Sequence, residues 1–274
     1  MFKILDKEQF SEHVFKLTIE APRIAKNRKA GHFVIVKLGT NGERIPLTIV
    51  DSDVQKGSID LIIQRVGVSS TKLVQLNIGD SVDDVVGPLG HATHIETFGT
   101  VLAAGGGVGL APMLPIIKAM KEAGNRIITV LAARSKNLVI LEKQIRDISD
   151  EVLVMTNDGT YGDKGLVTDG VEKIISQEKI DLTLTIGPAI MMKAVSDVTR
   201  KYSIPTVASL NTIMVDGTGM CGACRVSVGG STKFVCVDGP EFDAHQVDFN
   251  EMLTRLGAYK DIETDAYQTY LNSL

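Results

Sequence analysis

The stretch TVLAAGGGVGLAPMLPIIKAM, residues 100–120, constrains the fold of this 274-residue chain more than any other. An apolar run enters a glycine-rich turn, Gly105, Gly106, Gly107, Val108 and Gly109, and a helical pattern follows at once. Pro112 suits the first turn of that helix and Gly124 its C-terminal stop. The alternation then repeats. RIITVLAA, EVLVMT, DLTLTIG and PTVASL read as short buried strands, with helices expected around LEKQIRDI, over residues 166–177 and across PAIMMKAVSDVTRKY. Strands alternating with helices predict an α/β doubly wound parallel-sheet domain over residues 98–210.

A glycine-rich turn between a strand and a helix presents backbone N–H groups and a helix dipole, which favour a phosphate. The turn departs from a strict G-x-G-x-x-G, since Leu110 stands at the sixth position. Its place after the first strand of the domain still favours a dinucleotide over a plain tight turn. No acid stands at the end of the second strand, where AARSKN offers Arg134 and Ser135 to a 2′-phosphate, so NAD and NADP both stay open. Asn157 and Asp158 follow the third strand, where ligands collect, and are equally ordinary turn residues. Gly187 and Pro188 follow the fourth, beside a nicotinamide or in a simple strand-to-helix turn.

Residues 1–97 read differently. HFVIVKL and SIDLIIQRV are short and β-branched, turn signals such as Asn41-Gly42 separate them, and no long amphipathic helix intervenes. This pattern predicts a small β-barrel or sandwich. Within it Arg44 stands four residues before Thr48, a cation beside a hydroxyl that could hold a phosphate and a flavin edge, although taken alone it reads as a surface arginine before a strand. Gly67, Ser69, Ser70 and Thr71 lie where a loop enters a helix, a place for an anion or for ordinary N-capping.

From about residue 211 the periodicity fails. All three cysteines, Cys221, Cys224 and Cys236, fall within sixteen residues, and Asp216 completes a D-x4-C-x2-C-x11-C array. Plant-type [2Fe–2S] sites use C-x4-C-x2-C with a distant fourth cysteine, so the aspartate takes the place of the first. An iron(III) centre accepts such an oxygen donor. Asp238, Asp243, His245 or a group from a partner are the other candidates for fourth ligand; a zinc knuckle is the rival chemistry, and a purely structural Asp216-Gly217 turn is the rival role for the aspartate. Residues 211–274 are read as a small C-terminal [2Fe–2S] module with a covering tail.

The formal net charge of −4 and the lack of a run of five or more lysines and arginines leave no nucleic-acid footprint. No apolar stretch approaches a membrane span, and the charged start has no signal-peptide core. A cytoplasmic protein is expected, where clustered cysteines serve metals more often than disulfides.

Taken together RIPLT (with Arg44, Pro46, Leu47 and Thr48), GVSSTKL, GGGVGLAP and DGTGMCGAC resemble the ferredoxin–NADP reductase superfamily with an appended [2Fe–2S] module. Two branches are similar over nearly the whole chain. One contains the electron-transfer subunits of dihydroorotate dehydrogenase B, with four cysteines at the cluster. The other contains the small subunits of NADH-dependent ferredoxin:NADP oxidoreductases, with one aspartate and three cysteines. The resemblance implies FAD in the β-domain, with Arg44 at the diphosphate, Thr48 near the flavin ring and Gly67, Ser69 and Ser70 at the remaining phosphate. It implies NAD(H) on residues 105–109 and a [2Fe–2S] cluster on Asp216, Cys221, Cys224 and Cys236. Ile186 stands where some relatives carry a cysteine, so that role does not transfer. The expected function is electron transfer between NAD(H), FAD and the cluster within an electron-bifurcating complex. Its partner would be a larger iron–sulfur flavoprotein with a second FAD and [4Fe–4S] clusters, and ferredoxin would be reached through the complex. Electron delivery to or from dihydroorotate oxidation is the first alternative. A stand-alone reductase and a zinc-containing nucleotide module are the others.

Overall fold

Apolar side chains that alternate along the first ninety residues need one shared interior. The computed structural model, which describes all 274 residues, provides it as a seven-stranded antiparallel sheet. Its strands are β1 (Phe2–Gln9), β2 (Val14–Glu20), β3 (Phe33–Lys37), β4 (Arg44–Asp53), β5 (Ser58–Gln64), β6 (Ser81–Val82) and β7 (Asp84–Leu89), in the order β6-β1-β2-β5-β4-β3-β7. β6 and β7 lie at opposite ends of that order, yet only Asp83 separates them in the chain. A single residue spans about 3.5 Å, so the sheet curls into a nearly closed barrel. Ile4, Leu17, Ile19, Val34, Ile49 and Leu61 fill its interior. Helix α1 (Pro22–Asn27) and helix α2 (Val68–Gln75) close it with Ile24, Leu73 and Val74.

The second body has the sheet order β11-β10-β9-β8-β12-β13-β16. Its strands are β8 (Thr100–Gly106), β9 (Arg126–Ala133), β10 (Glu151–Thr156), β11 (Asp163–Lys164), β12 (Leu182–Ile186) and β13 (Thr206–Ser209), all parallel to one another. Helices α3 (Leu110–Glu122), α4 (Glu142–Ile148), α5 (Val167–Gln177) and α6 (Ala189–Lys201) cover it. One apolar core packs α3 and α4 on one face, and another packs α5 and α6 on the other. The winding starts at β8, proceeds outward to β9 and β10, and reverses to β12 and β13. The switch point between β8 and β12 opens a crevice at the strand C-termini, where such sheets bind ligands.

The remaining residues do not form a free-standing appendage. After the hairpin β14 (Arg225–Val228) and β15 (Ser231–Phe234), and the short helix α7 (Val235–Asp238), strand β16 (Glu241–Asp243) returns antiparallel to β13 as the edge of the second sheet. Helix α8 (Phe249–Leu256), N-capped by Asp248, buries Phe249 and Met252 against the module, and α9 (Lys260–Leu271) ends the chain. One core unites Cys224, Cys236 and Val226 with Phe33 and Ile35 of the barrel and Met192 of α6.

The seam carries a carboxyl whose titration burial shifts. Thr93 Oγ1 donates to Glu241 Oε1 at 2.6 Å, while the Thr93 N–H donates to Ala30 O and the His91 N–H to Gly239 O. Burial holds the Glu241 carboxyl above the ordinary carboxylate range, partly offset by the Thr93 hydroxyl. A carboxyl raised in the folded state stabilises the fold while protonated, and that contribution is lost as pH rises through the raised value. Glu241→Gln keeps an acceptor for Thr93 and removes the titration. Thermal unfolding of the cofactor-free native chain should therefore fall in midpoint from mildly acidic toward neutral pH by more than that of the variant. Parallel curves for the two would refute this origin.

Candidate functional site

Side chains on β4 alternate, and the alternation splits the RIPLT residues. Ile45, Leu47 and Ile49 point into the barrel, whereas Arg44, Pro46 and Thr48 face outward and stay partly exposed. Of the expected flavin contacts, Leu47 thus offers its backbone alone. The outward strip is bordered at both ends. At one, Arg44 Nε donates to Val215 O at 2.7 Å and Nη2 to Asp216 O at 3.3 Å. At the other, Val50 packs on the core that contains Leu110, Ala111 and Leu114 of α3. Anything laid along Arg44, Pro46 and Thr48 therefore lies between the cysteine loop and the glycine turn.

Beside the strip stands the N-terminus of α2. Ser70 Oγ accepts the N–H groups of Val66 and Gly67, both at 3.0 Å, and donates to Gly67 O at 3.1 Å, so this hydroxyl caps the helix. Ser69 Oγ instead donates to the Glu43 carboxylate. The hydroxyl of Thr71, itself buried, donates to Tyr267 Oη at 3.3 Å.

At the switch point β8 runs into a single turn of tight helix, Gly107–Gly109, and then α3. A Cβ on Gly109 would lie 2.5 Å from Ile186 O and 2.7 Å from Gly187 Cα, so only glycine lets the turn and the β12 loop meet backbone to backbone. Met191 of α6 fills the remaining space beside Gly106 and Gly187. Pro188 N-caps α6, and Pro112 lies in the first turn of α3. The Asp158 carboxylate accepts the N–H and hydroxyl of Thr160 at 3.0 and 2.7 Å, the side-chain turn expected of such a residue. Asn157 is exposed, and its N–H donates to Ala133 O. Arg134, exposed at the end of β9, faces no ion-pair partner.

The cysteine loop divides its four candidate ligands into pairs. Cys224 and Cys236 are buried, unbridged and 3.2 Å apart between sulfurs. Burial, and then the neighbouring thiol, push the Cys236 thiol up to about 12. Cys221 is exposed, and the N–H of Ala223, then those of Asp216 and Val215, lower its thiol below the ordinary value. Across the loop the half-buried Asp216 carboxylate accepts the N–H groups of Met220 at 3.0 Å and Thr218 at 2.9 Å, which lower it. Gly217, at φ +82°, turns the chain so tightly that a Cβ would meet Ile35 at 2.6 Å and Leu89 at 2.9 Å. No group of three or more His, Cys, Asp or Glu side chains surrounds a single point. A two-iron cluster takes its protein ligands two to an iron, and the donor set fits it: two buried thiols on one side, a thiol and a carboxylate on the other, with N–H groups among them.

The rival fourth ligands, like Asp216, make local hydrogen bonds of their own. Asp238 accepts the Phe234 N–H, Asp243 accepts the His245 N–H, and His245 Nε2 lies 3.0 Å from Thr199 Oγ1 on α6. Three contacts escape sequence reasoning: Glu43 with Ser69, Arg255 with Ala223 O, and the tyrosines of α9 with α2. None carries a motif.

Similarity to known proteins follows the same division. Residues 1–94 match the oxidoreductase FAD-binding domain, and residues 211–248 match the iron-sulfur cluster binding domain of dihydroorotate dehydrogenase B. A dihydroorotate dehydrogenase B (NAD(+)) electron transfer subunit homolog of Thermotoga maritima is 46% identical over 99% of this chain and 96% of its own. The chain belongs to the family of dihydroorotate dehydrogenase B electron-transfer subunits and their homologues. The electron transfer subunit of Geobacillus thermodenitrificans is 32% identical over 89% of this chain and 96% of its own. A subunit in the solved structure of the NADH-dependent reduced ferredoxin-NADP oxidoreductase superposes with a TM-score of 0.94 at 45% identity, covering 99% of this chain and 98% of that one. Like its relatives, this member of the family is an oxidoreductase with an FAD-binding barrel, a parallel-sheet nucleotide domain and an iron–sulfur domain. No helix is long and apolar enough to cross a membrane.

Proposed function

We propose that this chain is the NAD(H)-linked electron-transfer subunit of a flavin-based, electron-bifurcating NADH-dependent ferredoxin:NADP oxidoreductase. One observation carries the reading most: the Arg44 guanidinium, at the head of the flavin strip, is bonded to the backbone of the cluster loop at Val215 and Asp216. Residues 1–97 would hold FAD, with Arg44, Pro46 and Thr48 along the strip, the Leu47 backbone beside them, and Gly67, Ser69, Ser70 and Thr71 at the α2 end. Residues 98–210 would hold NAD(H), with the N–H groups of residues 105–109 and the α3 dipole at the diphosphate. Pro112, Asn157, Asp158, Gly187 and Pro188 would line the same crevice. Residues 211–274 would hold the [2Fe–2S] cluster on Asp216, Cys221, Cys224 and Cys236. When bound, the flavin exchanges an electron pair with the nicotinamide and the cluster takes electrons singly. The chain's part is placement: the strip, the glycine turn and the cysteine loop bring three sites to one junction.

An exposed apolar collar supports a partner subunit. Met220 is 87% exposed, Val215 49% and Val237 37%, all beside the exposed Cys221. Apolar patches at a redox edge fit a protein interface. The partner would be a larger iron–sulfur flavoprotein with a second FAD and [4Fe–4S] clusters, through which ferredoxin is reached. The aspartate in place of a fourth cysteine favours this over electron transfer with dihydroorotate oxidation, which the iron–sulfur domain match keeps as the second reading.

Anaerobic purification tests both. Visible absorption with iron and flavin analysis should give a two-iron cluster beside one FAD per chain, and the co-purified subunit should be an iron–sulfur flavoprotein. Recovery with a dihydroorotate-oxidising subunit would select the second reading. A colourless zinc protein would defeat both.

A further inference from the structure

Helix α9 has no buried residue, so no core holds it. What fixes it is a polar seam along α2. Tyr270 Oη donates to Gln75 Oε1 at 2.9 Å, the Lys72 ammonium lies 5.3 Å from the Tyr270 ring centroid, and Thr71 Oγ1 donates to Tyr267 Oη at 3.3 Å. Thr71 follows Ser70, the capping residue of α2, so Tyr267 bears on the first turn of that helix. On its other side α2 reaches the barrel core through Leu73 and Val74. The root of α9 is firm, because α8 is anchored by Phe249 and Met252 and Arg255 Nη2 donates to Ala223 O of the cysteine loop. Between root and seam lie residues 257–259, with Tyr259 exposed.

We propose that α9 is a strap whose Tyr267 and Tyr270 position α2 for the FAD diphosphate. The inference rests on the flavin reading above. A helix held by a few polar contacts and no apolar core opens locally without unfolding the rest. Docked, the strap holds the first turn of α2 and its free N–H groups in register with the strip. Detached, it leaves α2 supported on the barrel side alone. Because coupling is reciprocal, bound FAD holds the strap down by the same factor that the strap tightens FAD.

The test uses the full chain carrying its cluster and stripped of flavin, with the double variant Tyr267→Phe/Tyr270→Ala compared against native protein. Flavin fluorescence titration should show about tenfold weaker FAD binding in the variant, the loss expected when two polar contacts cease to support a site. FAD should slow tryptic cleavage at Lys260 in native protein and have less effect in the variant. Cluster absorption should be unchanged, since every ligand is retained. Equal FAD affinity in the two proteins overturns the strap while leaving the flavin reading intact. A native chain with no affinity for FAD overturns that reading and the strap with it, so the native titration alone separates the two failures.

Discussion

Cys224→Ala is expected to leave the protein without its cluster. The substitution removes one of two thiols that lie 3.2 Å apart in a core shared with the barrel and with α6. The other two cysteines of the chain, Cys221 and Cys236, are already among the four candidate ligands, so no spare thiol can replace it. Iron content should fall to background while FAD remains bound, and NADH should still bleach the flavin. Onward delivery of electrons to a one-electron acceptor through the cluster should stop. Asp216→Ala is expected to be milder in kind, since three thiolates remain. Loss of even a residue supporting a ligand lowers metal affinity about 10–100-fold, so iron loss on dialysis should accelerate by at least that much. Asp216→Cys should restore retention and alter the cluster spectrum. A native spectrum and iron content in Asp216→Ala would remove the carboxylate from the ligand set.

Gly109→Ala should have the second large effect. The residue has an ordinary helical φ of −60°, so alanine is not strained there by conformation. The cost comes from position alone: the new methyl would lie 2.5 Å from a backbone oxygen and 2.7 Å from a backbone Cα, neither of which yields like a side chain. Overpacking of this kind costs about 1–3 kcal/mol and shifts backbone. The shift falls at the switch point, where the β12 loop would have to move away from the glycine turn. A displacement near 1 Å lowers a reaction that depends on alignment about a hundredfold, so NADH-driven flavin reduction should fall by that order. Cluster content should not change. Stopped-flow absorption would separate the two signals, and native rates of flavin bleaching would show that the nicotinamide does not lie in this crevice.

Much of the α/β body was legible because its signals are local. Buried strands, glycine stops and helix periods recur within each stretch of about twenty residues, and the helix over residues 166–177 lies within a residue of α5. The cysteine array was legible for the same reason, as C-x2-C spacing is set by the reach of a single loop. α9 was not, because its sequence KDIETDAYQTYL buries nothing and so shows no apolar period. β16 was hidden by its three-residue length.

Order along the chain, element type and donor chemistry are properties of short segments, so sequence by itself determined a β-rich first domain, a doubly wound sheet and an array of one aspartate and three cysteines spaced as a cluster site would need. Their convergence was decided only in three dimensions. Arg44 meets Val215 and Asp216 across more than 170 positions, and Glu241 meets Thr93 across 148. No periodicity records such contacts, because they arise from the packing of finished elements on a shared core. That packing also turned Leu47 inward and left Arg44, Pro46 and Thr48 as a strip between the two loops.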